Sequence, residues 1–152
     1  MKIRIIDDQK RLAEFLNDPL TTGSIVDKGS VYSIKADALY LGVYEGALLV
    51  GVHEVRKFWH SIVECHAIYD PGFRGKYALD GHRMFCKWLL ENTSFLNSVT
   101  MVPDTTKYGR SIIKLLGASR VGHIDDAYTS NGKPVGVTLY QMSRSKYEEL
   151  TK

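Results

Sequence analysis

Residues 38–69 carry three apolar, alternating segments with almost nothing between them: "LYLGVY", "ALLVGVHEVRKF" and "SIVECHAIY". Alternation with period two is the mark of a half-buried strand. A parallel crossover needs about a dozen residues or more, and these connections are far shorter. The three strands must therefore form an antiparallel meander, with Glu45-Gly46 at its first tight turn. Whatever else the chain does, it is built around this sheet.

The flanks alternate helix and strand. "KIRII" reads as a short strand, Asp7 or Asp8 as the N-cap of a helix, and Leu12, Phe15 and Leu16 as its buried face. Asn17-Asp18-Pro19 stops that helix. Residues 20–37 read as loop with a short helix. After the meander the pattern predicts a helix from about Ala78 to Asn92, with Ala78, Phe85 and Leu89 inward and Trp88 beside them. "SVTMV" is a strand ended by Pro103. A helix from about Thr106 follows, with Ile112, Ile113 and Leu116 inward and Gly117 at its end. "ASRVGHI" and "PVGVTLYQM" flank Ser130-Asn131-Gly132-Lys133, where Asn-Gly predicts a hairpin. The order β-α-(α)-β-β-β-α-β-α-β-β predicts an α/β fold with a mixed, mostly antiparallel sheet, in one domain over residues 1–152.

With 152 residues, 44% hydrophobic and 24% charged, the chain can bury a real core. The net charge of +3 argues against a nucleic-acid partner, and no stretch reaches the roughly 20 apolar residues of a membrane span. Cys65 and Cys86 fall in a strand and a helix, without ligand-like spacing, and read as reduced core thiols of a cytoplasmic protein. His60, His82 and His123 have no ligand-like spacing either, so no metal is expected.

The stretch most suggestive of a ligand is "YDPGFRGKYALDG", residues 69–81, where a strand hands over to a helix. A helix N-terminus offers unpaired N–H donors and partial positive charge, and Arg74 and Lys76 would add charge-assisted contacts. A solvated basic turn would look the same. With the element order, however, "YDPGFRGK" resembles the loop before the acetyl-CoA pyrophosphate site of GNAT-type N-acetyltransferases. "KLLGASRVG" is similar to that superfamily's late helix, closing glycine and next strand. The resemblance covers residues 2 to about 142.

It implies acetyl-CoA as cosubstrate and an amine acceptor, joined by direct attack. Pantetheine would lie where the fourth strand splays from the fifth, along Ile68 and Tyr69. The pyrophosphate would rest on Phe73, Arg74, Gly75, Lys76, Tyr77 and Ala78, with Thr106 and Lys107 nearby. Arg110 would join Lys107 in meeting the 3′-phosphate. Tyr77 and Leu79 stand where the family prefers small residues. Thr106 replaces its frequent Asn, and Ile113 replaces the Tyr that serves as acid for the leaving thiolate. Tyr108, more than a turn away, is the remaining phenol.

Acetyl transfer also needs a proton acceptor, because an ammonium cannot attack. On "SIVECHAIY", Ile62, Glu64, His66 and Ile68 share one face. Glu64 is the first candidate base and His66 the second; alternatively Glu64 pairs with Arg56 on the neighbouring strand. A rival reading is a GNAT fold without catalysis, a binding or structural component such as a bacteriophage virion protein. No motif specifies the acceptor or the oligomeric state.

Overall fold

The structure, a computed structural model, describes residues 1–22 and 30–152. Strands β1 (Lys2–Ile5), β2 (Ala38–Glu45), β3 (Leu48–Trp59), β4 (Ile62–Tyr69), β5 (Asn97–Pro103), β6 (Ser119–Ser130) and β7 (Lys133–Ser143) form one sheet in the order β1-β2-β3-β4-β5-β7-β6. The helices are α1 (Gln9–Leu16), α2 (Pro19–Thr22), α3 (Lys76–Asn92), α4 (Lys107–Leu115) and α5 (Arg144–Leu150). The mixed, mostly antiparallel α/β sheet expected from the element order, and the GNAT-like architecture implied by the resemblance, are the ones observed. Of the loop expected over 20–37, residues 23–29 lie outside the described residues; α2 and an irregular run from 30 to 37 flank them.

The β2-β3-β4 meander is antiparallel throughout, and Asn131 and Gly132 turn the β6-β7 hairpin at φ of 50° and 72°. Positive φ at both central residues is what a two-residue hairpin of this twist requires. One face of the sheet packs on α3, α4 and α5 through Val55, Cys65, Phe85, Leu89, Ile112 and Tyr147. The other packs on α1 through Leu12, Leu16, Tyr40, Val52 and Ile68. Leu12 and Leu89 are fully buried, each contributing about 1.5–3 kcal/mol. Cys65 and Cys86 are buried free thiols, both held protonated by desolvation, Cys86 up to about 12.

Helix α5 was not expected. Its seven residues carry too short a pattern for periodicity to declare, and they are held by tertiary contacts instead. The Arg144 guanidinium donates to the carbonyls of Leu90, Thr93 and Phe95, and the buried Tyr147 hydroxyl bonds Ser98 at 2.7 Å. Helix α3 begins two residues earlier than expected, because Gly75 at φ +74° takes the N-cap position without a side-chain cap.

The element that matters most for a site is the end of β4. There the Tyr69 ring lies in a slot between two glycines: a Cβ on Gly51 would stand 2.4 Å from it, and one on Gly81 would stand 2.1 Å from its hydroxyl. In the slot the Tyr69 hydroxyl bonds His53 Nε2 at 2.8 Å. Gly81→Ala should destabilise the protein by about 1–3 kcal/mol. Because the clash is with the hydroxyl, Tyr69→Phe should recover part of that loss in the double variant, although alone it leaves His53 without its partner. Denaturant unfolding of the two singles and the double checks this; strictly additive losses would contradict it.

Candidate active-site cleft

Strands β4 and β5 pair in parallel, but only over Ile62–Asn97, Val63–Ser98 and Glu64–Val99. At the end of this ladder the Thr100 hydroxyl donates to the Cys65 carbonyl, and beyond it the strands separate. The gap opens into a cavity of about 360 Å³ walled by Ile68, Tyr69, Met101, Pro103, Tyr108 and Val137, with His66, His82 and Tyr128 also lining it. At the far end of β5, Asp104 accepts from His123 and Thr138, tying the β6-β7 hairpin to the cavity rim.

One mouth of the cavity is the turn into α3. Among the described residues, the N–H groups of Lys76, Tyr77 and Ala78 meet no acceptor. The Gly75 N–H donates to the Tyr108 hydroxyl at 2.5 Å, and the Arg74 guanidinium sits 5.9 Å over the Tyr108 ring. Tyr77 does not obstruct the turn: its ring is exposed and packs edge-on against Phe73 at 5.3 Å. Leu79 packs on the core, and Ala78 is fully buried.

The cavity floor is polar on the α1 side. Glu64, 1% exposed, takes Arg56 Nη2 at 2.5 Å on one oxygen and His66 Nε2 at 2.7 Å on the other. The His66 bond above all, with Arg56, outweighs burial and holds the Glu64 carboxyl down to about 2. An ionised carboxylate can only accept, so Nε2 of His66 carries the hydrogen of this bond. Directly across the strand pair from His66 is Glu54. Its buried carboxylate accepts from Lys35 Nζ at 2.6 Å and from the Tyr32 hydroxyl at 2.7 Å. On the opposite face, His53 stacks on Phe85 at 4.3 Å and meets His82 edge-on at 4.8 Å. Desolvation pushes His53 well down and His82 to about 4.

Of the residues singled out in the sequence, His66, Ile68, Tyr69, Arg74, Thr106 and Tyr108 line this one cavity. Glu64 lies behind His66 rather than at the surface. Phe73, Gly75, Lys76, Tyr77 and Ala78 form the adjoining turn, while Lys107 is exposed on the outer side of α4. Tyr108 sits at the turn, against Gly75. Sequence reasoning missed Tyr32, Lys35, His82 and Tyr128. His82 had a signal: it falls on the inward stripe of α3 between Ala78 and Phe85. Tyr32 and Lys35 had none, lying in a segment without periodicity. Among the described residues, no three His, Cys, Asp or Glu side chains are grouped to hold a metal ion, and no helix is long and apolar enough to cross a membrane.

A sheet forked between β4 and β5 over a helix N-terminus is the GNAT fold. Spermidine N-acetyltransferase from Vibrio cholerae, in complex with CoA and spermine, superposes with a TM-score of 0.81 over 97% of each chain at 14% identity. The protein smu.2055 from Streptococcus mutans UA159 matches with a TM-score of 0.76 over 95% of this chain and 99% of its own, at 15% identity. Within that fold the chain belongs to the family described as protein of unknown function (DUF2824), whose model matches residues 3–152. Protein p31 of Acyrthosiphon pisum secondary endosymbiont phage 1 is 34% identical over 146 residues, covering 96% of this chain and 94% of that protein.

The buried groups set the response to acid. His82 is neutral in the fold with its pKa lowered from 6.5 to about 4, so the unfolded chain is the first to take up a proton below pH 6.5. Stability should fall from there down to about pH 4. Glu64 is charged in the fold with its pKa lowered from 4.5 to about 2, so its contribution is present above pH 4.5 and is lost toward pH 2. Melting curves across pH should show His82→Leu shrinking the first loss and Glu64→Gln removing part of the second. An unchanged slope between pH 6.5 and 4.5 in the His82 variant would contradict the assignment.

Proposed function

We propose that the chain is a single-domain, acetyl-CoA-dependent N-acetyltransferase acting on a primary amine. The observation that carries this reading is the fork itself. It exposes a row of backbone N–H and C=O groups along β4 beside a helix N-terminus with free donors, as a pantetheine arm ending in a pyrophosphate requires. The CoA complex of the Vibrio cholerae enzyme, which shares the fold, supports the same choice of cosubstrate.

In this reading the pyrophosphate rests on the N–H groups of Lys76, Tyr77 and Ala78, flanked by Arg74 and Lys76, with pantetheine along Ile68 and Tyr69. The amine attacks the thioester carbonyl from the side of His66. The C–N bond forms, the C–S bond breaks, and the amine proton passes to His66 Nδ1 and then to the leaving thiolate. Glu64 is a positioning residue rather than the base. A carboxyl near 2 that already holds Arg56 and His66 is too weak to take a proton from an amine, but it fixes the imidazole tautomer. The thiolate's proton has no tyrosine source on α4 at position 113, where the side chain is Ile113.

Acetyl-CoA at about a hundred times its dissociation constant should stabilise the protein by ~2.7 kcal/mol and raise its melting temperature by roughly 5–10 °C. Arg74→Ala with Lys76→Ala should shrink that shift. His66→Gln should keep it while lowering kcat by roughly a hundredfold or more. No shift at millimolar acetyl-CoA would overturn the reading.

A second reading, a binding or structural component that has given up acetyl transfer, draws support from Ile113, from the Tyr108 hydroxyl on Gly75 and from the phage relative. Cofactor binding without turnover of any amine would favour it.

A further inference from the structure

The cavity's charged lining points to what the amine is. Among the described residues lining it, the charged side chains are Lys35 and Arg74, both cationic; no Asp or Glu is among them. The rest of the lining is mostly apolar or aromatic, from Tyr32 and Ile68 through Met101 and Pro103 to Tyr128 and Val137, with uncharged polar side chains such as Thr100 and Thr106 among them. Among the described residues, the carboxylates of Glu64 and Glu54 beside the floor are both already engaged. Glu64 is held by Arg56 and His66, and Glu54 is held by Lys35 and Tyr32.

The Lys35 contact is the informative one. Its ammonium lies 2.6 Å from Glu54 Oε1, reaching across from the segment before β2 to the middle of β3. Glu54 is 4% exposed and Lys35 is 35% exposed, so the cation sits at the cavity edge and the anion beneath it. The Tyr32 hydroxyl completes the carboxylate's partners from the same segment. A polyamine carries several ammonium groups, and each one desolvated in such a cavity needs an anion. Among the described residues, the carboxylate opposite His66 on the neighbouring strand, Glu54, is already neutralised by a lysine of the chain itself.

We infer that Lys35 is a specificity-determining residue: its ammonium fills the anionic subsite at Glu54, so that the site takes a monoamine on an apolar or aromatic body and rejects polyamines. The inference rests on the transferase reading for its purpose, but not for its measurement. The reacting amine enters neutral beside His66, and its apolar body covers Ile68, Met101 and Val137. A second ammonium would meet Lys35 instead of a carboxylate. The Vibrio cholerae enzyme that holds spermine thus shares its fold with this chain, and on this inference not its polyamine ligand.

The test is equilibrium binding by calorimetry of phenethylamine and of spermidine to the full chain without cofactor, for the wild type, Lys35→Met and Lys35→Met with Glu54→Gln. The wild type should bind phenethylamine at least tenfold more tightly than spermidine. Lys35→Met, which uncovers the Glu54 carboxylate, should gain at least tenfold in spermidine affinity. The double variant, with no unpaired charge, should lose that gain. Spermidine binding to the wild type as tightly as phenethylamine would overturn the inference, and so would a folded Lys35→Met protein with no gain. Should Lys35→Met not fold, the wild-type preference decides alone. The acetyl-CoA melting shift, measured on the same preparations, separates the two proposals. Its absence would remove the transferase reading, whereas the amine preference stands or falls on the calorimetry.

Discussion

The structure turns on a parallel ladder that stops after three residue pairs. Strands β4 and β5 begin as neighbours in one sheet and part after Glu64–Val99, with the Thr100 hydroxyl on the Cys65 carbonyl marking the limit. A sheet that continued would satisfy its own backbone groups and leave no cleft. One that never paired would leave β5, β6 and β7 unattached. The short ladder does both jobs, and it creates a strand edge inside the sheet, where backbone groups face a cavity instead of bulk water. Tyr69 between Gly51 and Gly81, the turn into α3 and the hairpin pinned through Asp104 surround that edge.

Most of this architecture was legible from local pattern. The meander followed from connection length, the hairpin from Asn131-Gly132, and helix α4 from Ile112, Leu116 and Gly117. What was illegible shares one cause. Helix α5 is defined by Arg144 reaching carbonyls some fifty residues away, and its own seven residues carry no recognisable period. The Lys35 and Tyr32 contacts with Glu54 likewise join an aperiodic segment to a distant strand. Register is the third example. That Glu64 and His66 share a face was readable, but that Arg56 stands opposite Glu64 and Glu54 opposite His66 depends on turn lengths that shift the pairing by whole residues.

Around the cleft the protein keeps its ionised groups in internal pairs. Glu64 with Arg56 and His66, and Glu54 with Lys35, leave an interior that is polar in composition and nearly neutral in effect. Buried pairs of this kind contribute little net stability, because desolvation offsets much of the attraction. Their value lies in orientation: each fixes one side chain that faces the cavity, an imidazole in one case and an ammonium in the other.

The phenol of Tyr108 on the Gly75 N–H has a consequence for affinity. An anion arriving at that amide does not meet a vacant donor; it must displace an oxygen already well placed. Binding there is an exchange reaction, so its free energy is the difference between two acceptors rather than the strength of one. A phosphate oxygen carries enough charge to prevail over a neutral phenol, whereas an uncharged acyl-thioester arm gains nothing by the swap. At that amide, a ligand is therefore selected by the charge of its acceptor rather than by its shape.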